Sequence, residues 1–141
     1  MINKWHDWLG MVKYDKAWHE NDLQDELKEY YEENHLLKKW SELSDVVYTC
    51  TRGRWSGYNV PFPFNKWQFY LGAIYMFPKC TGRWLFFRSA GRKSGCKKDI
   101  HEVRNPRKIH KLHTIAKRNN LDKIKFQKTC EYQLKYWVLL P

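Results

Sequence analysis

The chain has 141 residues, of which 43% are hydrophobic and 17% aromatic, and it carries a formal net charge of +11. Eight Trp, nine Tyr and seven Phe are enough to build a core, so disorder, which needs low hydrophobicity and few aromatics, is excluded as the reading. No apolar run approaches the roughly 18 residues that a membrane span requires.

Trp5, Trp8, Leu9 and Val12 fall at i, i+3, i+4 and i+7, which predicts a first helix capped by Asn3. From Asp22 to Trp40 the chain lacks Gly and Pro and predicts a second helix. Leu23, Leu27, Tyr30, Tyr31 and His35 make its apolar stripe, and Asp25, Glu26, Glu29, Glu32 and Glu33 its wet side. The early acids and the late Lys38 and Lys39 suit the helix macrodipole. Ser41-Glu-Leu-Ser44 reads as a fresh start, leading through Val46, Val47 and Cys50 to about Thr51. Arg52 to Phe64 then holds two Gly, two Pro and Asn59 and reads as a loop.

Residues 66–89 are the main core candidate. Trp67, Tyr70, Leu71, Ile74 and Tyr75 have helical spacing, and β-branched residues are sparse. The expectation is therefore two helices broken near Pro78, with a strand pair around 67–88 as the alternative. Ser89 to Lys98 reads as a basic, glycine-containing connector. Pro106 opens a helix with Ile109, Leu112, His113 and Ala116 on its apolar face. Asn119-Asn120 stops it, and a last helix follows to about Trp137, with Phe126, Cys130, Leu134 and Trp137 on one stripe. The fold class is mainly α: a small single-domain helical bundle, residues 1–141, with a Gly/Pro/aromatic loop.

Charge is distributed unevenly along this order. Residues 1–45 hold eleven acids and six bases, a net −5, whereas residues 46–141 hold twenty bases and four acids, a net +16. Four acids cannot pair twenty bases, and a surplus of this kind suits a polyanion whose counterions are released on binding. Two segments carry the expectation. The basic stretch supplies Arg88, Arg92, Lys93, Lys97, Lys98, Arg104, Arg107, Lys108, Lys111, Lys117 and Arg118. The loop supplies Arg52, Arg54, Trp55 and Tyr58, a mixture of aromatics that stack on unpaired bases and arginines that hold a backbone. The same aromatics would equally serve as a lid folded back on the core.

Other chemistries find less support. Cys80, Cys96, His101 and His110 have tolerable zinc-ligand spacing, but no Cys-x2-4-Cys pair accompanies them, so no metal site and no cofactor are expected. Cys50, Cys80, Cys96 and Cys130 read as free thiols in a reducing compartment, which makes a cytoplasmic location the expectation. Nucleotide-binding, nucleophile-elbow and zinc-protease motifs are missing, so catalysis is not expected.

The short, Lys-, Trp- and Tyr-rich texture is similar to small accessory proteins of phages and mobile elements. That resemblance implies a host-cell location and a second class of function. In it the protein docks on a protein or ribonucleoprotein machine that handles nucleic acid and inhibits or modulates it, in anti-defence fashion. A phage structural role is a third possibility. The first expectation remains non-catalytic binding of DNA or RNA through the hairpin 104–128 and the loop 52–58, with no membrane partner.

Overall fold

The computed structural model describes residues 1–137. Six helices account for its regular structure: α1 (Ile2–Leu9), α2 (Lys16–Glu32), α3 (Leu36–Trp55), α4 (Lys66–Lys93), α5 (Ile109–Arg118) and α6 (Lys123–Leu134). No strand occurs among the described residues. The protein is therefore mainly α, and the strand pair around 67–88 is replaced by the single helix α4.

Several boundaries differ from the sequence reading for physical reasons. Pro78 does not break α4 but lies inside it. Proline removes one backbone donor. Met76, Cys80 and Trp84, spaced four apart, are 0%, 1% and 3% exposed, so a buried stripe continues through the proline. Tertiary burial along one face outweighs one lost hydrogen bond, because each large buried side chain contributes about 1.5–3 kcal/mol. The same helix buries the face opposite to the one expected: Trp67, Tyr70, Leu71 and Ile74 are exposed.

Ser41 is interior to α3, which starts five residues earlier at Leu36. The long second helix instead breaks at residues 33–35, where the Glu33 side chain accepts from the His35 amide at 2.8 Å. Arg52 to Trp55 close α3 and do not belong to the following loop. Ser89 to Lys93 likewise complete α4. Asn3 lies within α1, whose cap is Met1, and α1 buries His6 and Leu9 while Trp8 and Val12 stay exposed.

The chain divides into two compact units between Pro78 and Lys79. In the first, α2 and α3 pack antiparallel. Asp22 accepts from the Thr49 hydroxyl at 2.9 Å near one end, and Lys39 lies 5.0 Å above the Tyr30 ring near the other. Leu23, Val46, Cys50 and Val60 form the core, and Tyr58, Phe62 and Phe64 of the segment after α3 fold back onto it. That return needs Gly53, where an added Cβ would lie 2.3 Å from the Val60 side chain.

In the second unit, α5 and α6 form a hairpin turned by Asn120, whose φ of 53° is left-handed. Asp122 caps α6 by accepting from the Lys125 amide at 2.7 Å. Phe86, Phe87 and Ala90 of α4 join Ile100, Leu112, Ile115, Ala116, Phe126 and Cys130 in one core. Gln133 Nε2 donates to the Phe86 carbonyl at 2.9 Å and its oxygen accepts from Ser89 at 3.0 Å, which fixes α6 on this stretch of α4.

Candidate nucleic-acid interface

The charge asymmetry persists across the division between units. Residues 1–78 hold nine bases and eleven acids, a net −2, and residues 79–141 hold seventeen bases and four acids, a net +13. The arginine–aromatic clusters of the two units are built differently.

In the first unit Arg52 is only 7% exposed. Its guanidinium lies over Trp18 at 4.9 Å, Tyr14 at 5.1 Å and Tyr48 at 5.9 Å, and it donates to the Val12 carbonyl at 2.9 Å. Cation–π contact of this kind strengthens when water is excluded. Trp55 donates to Asp7 at 2.7 Å, stacks on His6 and lies beneath Lys13. Tyr58 packs against the core, and Arg54, which is exposed, donates from Nε to the Val60 carbonyl at 3.2 Å. Burial and the nearby Arg52 push the buried His6 down to about 4 and lower His19 as well, so both imidazoles are neutral at neutral pH.

The acids of the first unit concentrate between α2 and α3. Glu26, Glu29 and Glu42 bring their carboxylates within 4.8 Å of one another, and among the described residues they are the one group of three or more metal-capable side chains that close. Burial, followed by Asp45 and the other neighbouring carboxylates, raises Glu26 to about 8. At neutral pH the cluster of carboxylates therefore keeps a proton. Cys80, Cys96, His101 and His110 do not form such a group; Cys80 is buried, His110 is exposed on α5, and His101 Nδ1 accepts from Trp84 at 3.3 Å.

In the second unit each of the four acids is engaged. Asp99 bridges Arg88 and Arg92, which hold its carboxyl below the usual carboxylate range, Arg88 most strongly. Glu102 lies 3.5 Å from Arg118 and 3.7 Å from Arg104. Asp122 caps α6, and Glu131 accepts from Gln127 at 2.7 Å. Lys79 and Arg83 are inside, 0% and 5% exposed. Lys97, Lys98, Arg107 and Lys117 are exposed, and Lys108 and Lys111 are half-buried at the start of α5.

Two open hollows lie along α6 and the end of α4, and they share Lys93. One, of 580 Å³, is lined by Lys93, Asp122, Ile124, Lys125, Lys128, Thr129 and Tyr132. The other, of 500 Å³, is lined by Leu85, Arg88, Ser89, Arg92, Lys93 and Trp137. The structure thus brings Arg88, Arg92 and Lys93 of the sequence-predicted set together and adds Lys125, Lys128, Tyr132 and Trp137. The signal for three of these additions is in the sequence: Lys125, Lys128 and Tyr132 fall at i, i+3 and i+7, one face of a helix. Lys93, Lys125 and Lys128 enter no ion pair among the described residues.

No protein-family model, curated protein or solved structure matches this chain.

Proposed function

We propose that the protein binds nucleic acid without catalysis, through the basic surface of its second unit. The observation that carries this reading is the engagement of all four acids of that unit while Lys93, Lys125 and Lys128 line adjoining open hollows. Cations presented this way serve phosphates, whose neutralisation releases counterions and makes affinity fall steeply with salt. Arg52 has no place in the interface, because its guanidinium is enclosed by Tyr14, Trp18 and Tyr48.

Fluorescence anisotropy with labelled single strands, duplex DNA and RNA across a salt series tests the proposal. Tight binding that collapses as salt rises supports it, and so does its loss in Lys125→Glu with Lys128→Glu. Absence of binding at low salt refutes it.

A second reading, an accessory protein that docks on a protein or ribonucleoprotein machine and modulates it, is favoured by one other observation. Leu36, Leu37, Trp67, Tyr70, Leu71 and Ile74 of the first unit are all more than half exposed, and Leu36, Leu37 and Leu71 line an apolar hollow of 360 Å³ with Tyr30, Lys39, Trp40 and Leu43. Exposed apolar surface of this kind marks protein contact more often than nucleic-acid contact. Nuclease-resistant co-purification of a protein, lost on Trp67→Asp with Ile74→Asp, would favour this reading.

A further inference from the structure

The hollows of the second unit are not lined by cations alone. Tyr132 closes the lysine-lined hollow and Trp137 the arginine-lined one. Tyr132 is 58% exposed, and Tyr136, one turn further on, is 70% exposed. Their rings meet at 5.3 Å with a tilt of 60°, and their hydroxyls lie 3.1 Å apart. A tilted pair does not stack face on face, so it does not consume both π surfaces in itself. Trp137 meets Phe86 edge to face, with planes at 90°, and so anchors on the core without stacking on it.

Resting on the nucleic-acid reading, we propose that the ligand of this site is a single strand. Its phosphates lie against Lys93, Lys125 and Lys128, and its unpaired bases stack on Tyr132 and Trp137. In a duplex the base faces are already covered by their neighbours, and proteins read it by placing a helix or ribbon into a groove. Here the aromatic rings sit in the same hollows as the cations, and Tyr132 shares one face of α6 with Lys125 and Lys128. Every base has a π face, so such a site takes single strands with little regard to sequence, and each stacked base adds affinity beyond the phosphate contacts. Asp122 also lines the first hollow, but its carboxylate is turned to the α6 amides as a cap. It therefore borders the cations without pairing them.

The test uses the full chain with fluorescent oligo-dT, oligo-rU and a hairpin duplex, at one low salt concentration and then across a series. Tyr132→Ala is exposed enough to leave the fold intact, and Tyr132→Phe keeps the ring while removing the hydroxyl. The inference expects the wild type to favour both single strands over the duplex. It expects Tyr132→Ala to weaken single-strand binding by about tenfold, with the salt slope unchanged. It expects Tyr132→Phe to retain wild-type affinity and duplex binding to be the same in all three proteins.

Duplex binding as tight as single-strand binding, or an unaltered single-strand affinity in Tyr132→Ala, overturns the inference. The nucleic-acid reading survives that result if Lys125→Glu with Lys128→Glu still abolishes binding. Equal affinity for polyglutamate, or no binding to any oligonucleotide, removes both.

Discussion

In the first unit Arg52 faces three aromatic rings and a backbone carbonyl. In the second, Arg88 lies over one ring, Trp84, at 4.4 Å, and shares Asp99 with Arg92 beside an open hollow. The residue types are the same and the sequence neighbourhoods are similar, yet one cluster is sealed and the other lies at the surface. The difference is in what surrounds them. Around Arg52, the segment before α2 and the first turn of α2 bring Tyr14, Trp18 and the Val12 carbonyl over the guanidinium, with Tyr48 of α3 beside it, so the arginine near the end of α3 is enclosed. Around Arg88, the helix buries Phe86, Phe87 and Ala90 and leaves the next positions at the rim. Interleaved arginines and aromatics therefore mark an interface only where the rings have a free face.

The largest effect that tests this contrast is on stability. Arg52→Ala should cost about 3 kcal/mol, from lost cation–π contacts and a lost charge-assisted hydrogen bond in a buried setting. Urea unfolding measures it. Nucleic-acid affinity per folded molecule should not change, and a loss of affinity in a variant that remains folded would bring the first unit into the site. The mirror-image experiment is Lys125→Glu with Lys128→Glu. Stability should shift by no more than about 0.5 kcal/mol, because both residues are exposed. Affinity should fall on the order of tenfold or more, with a flatter salt dependence.

A further contrast lies in pH. His6 titrates at about 4 in the folded protein against 6.5 when free, so the folded state binds fewer protons. Stability from His6 is complete above pH 6.5 and is lost as pH falls toward 4. Glu26 has the opposite sign. Its folded value of about 8 lies above the free value of 4.5, so its contribution is complete below pH 4.5 and is lost as pH rises through 8. The first unit should therefore be most stable in mildly acidic solution. Glu26→Gln should remove the alkaline loss and His6→Gln the acid loss, read as urea midpoints across pH. A stability profile that is flat from pH 4 to 8 in the wild type would contradict both assignments.

Much of this architecture is written locally. An acidic second helix, the stop at Asn119-Asn120 and the stripe of Phe126, Cys130, Leu134 and Trp137 follow from period and composition, and the structure contains each of them, with Asp122 as the cap of α6. What escaped was decided at long range. Pro78 is tolerated because Met76, Cys80 and Trp84 keep one stripe buried, and no local rule weighs that against a missing amide. Arg52 looks like surface from its neighbours, and only the rings of Tyr14 and Trp18, more than thirty residues earlier, enclose it. The α6 face was accessible in principle, since Lys125, Lys128 and Tyr132 have helical spacing. Counting basic residues along the chain obscures which of them share a face.

Asp99 has one more consequence. It sits between Arg88 and Arg92 as a built-in counter-ion, held ionised by both guanidinium groups. A phosphate arriving at these arginines would displace a tethered carboxylate, not dissolved salt. The two guanidinium groups and the one carboxylate offer a net charge of one, so this exchange counts for fewer than two cations in a plot of affinity against salt. The slope should therefore understate the number of cations in contact. Asp99→Asn would unmask the arginines, so it should steepen the slope and raise affinity at low salt, a gain of function from removing a salt bridge.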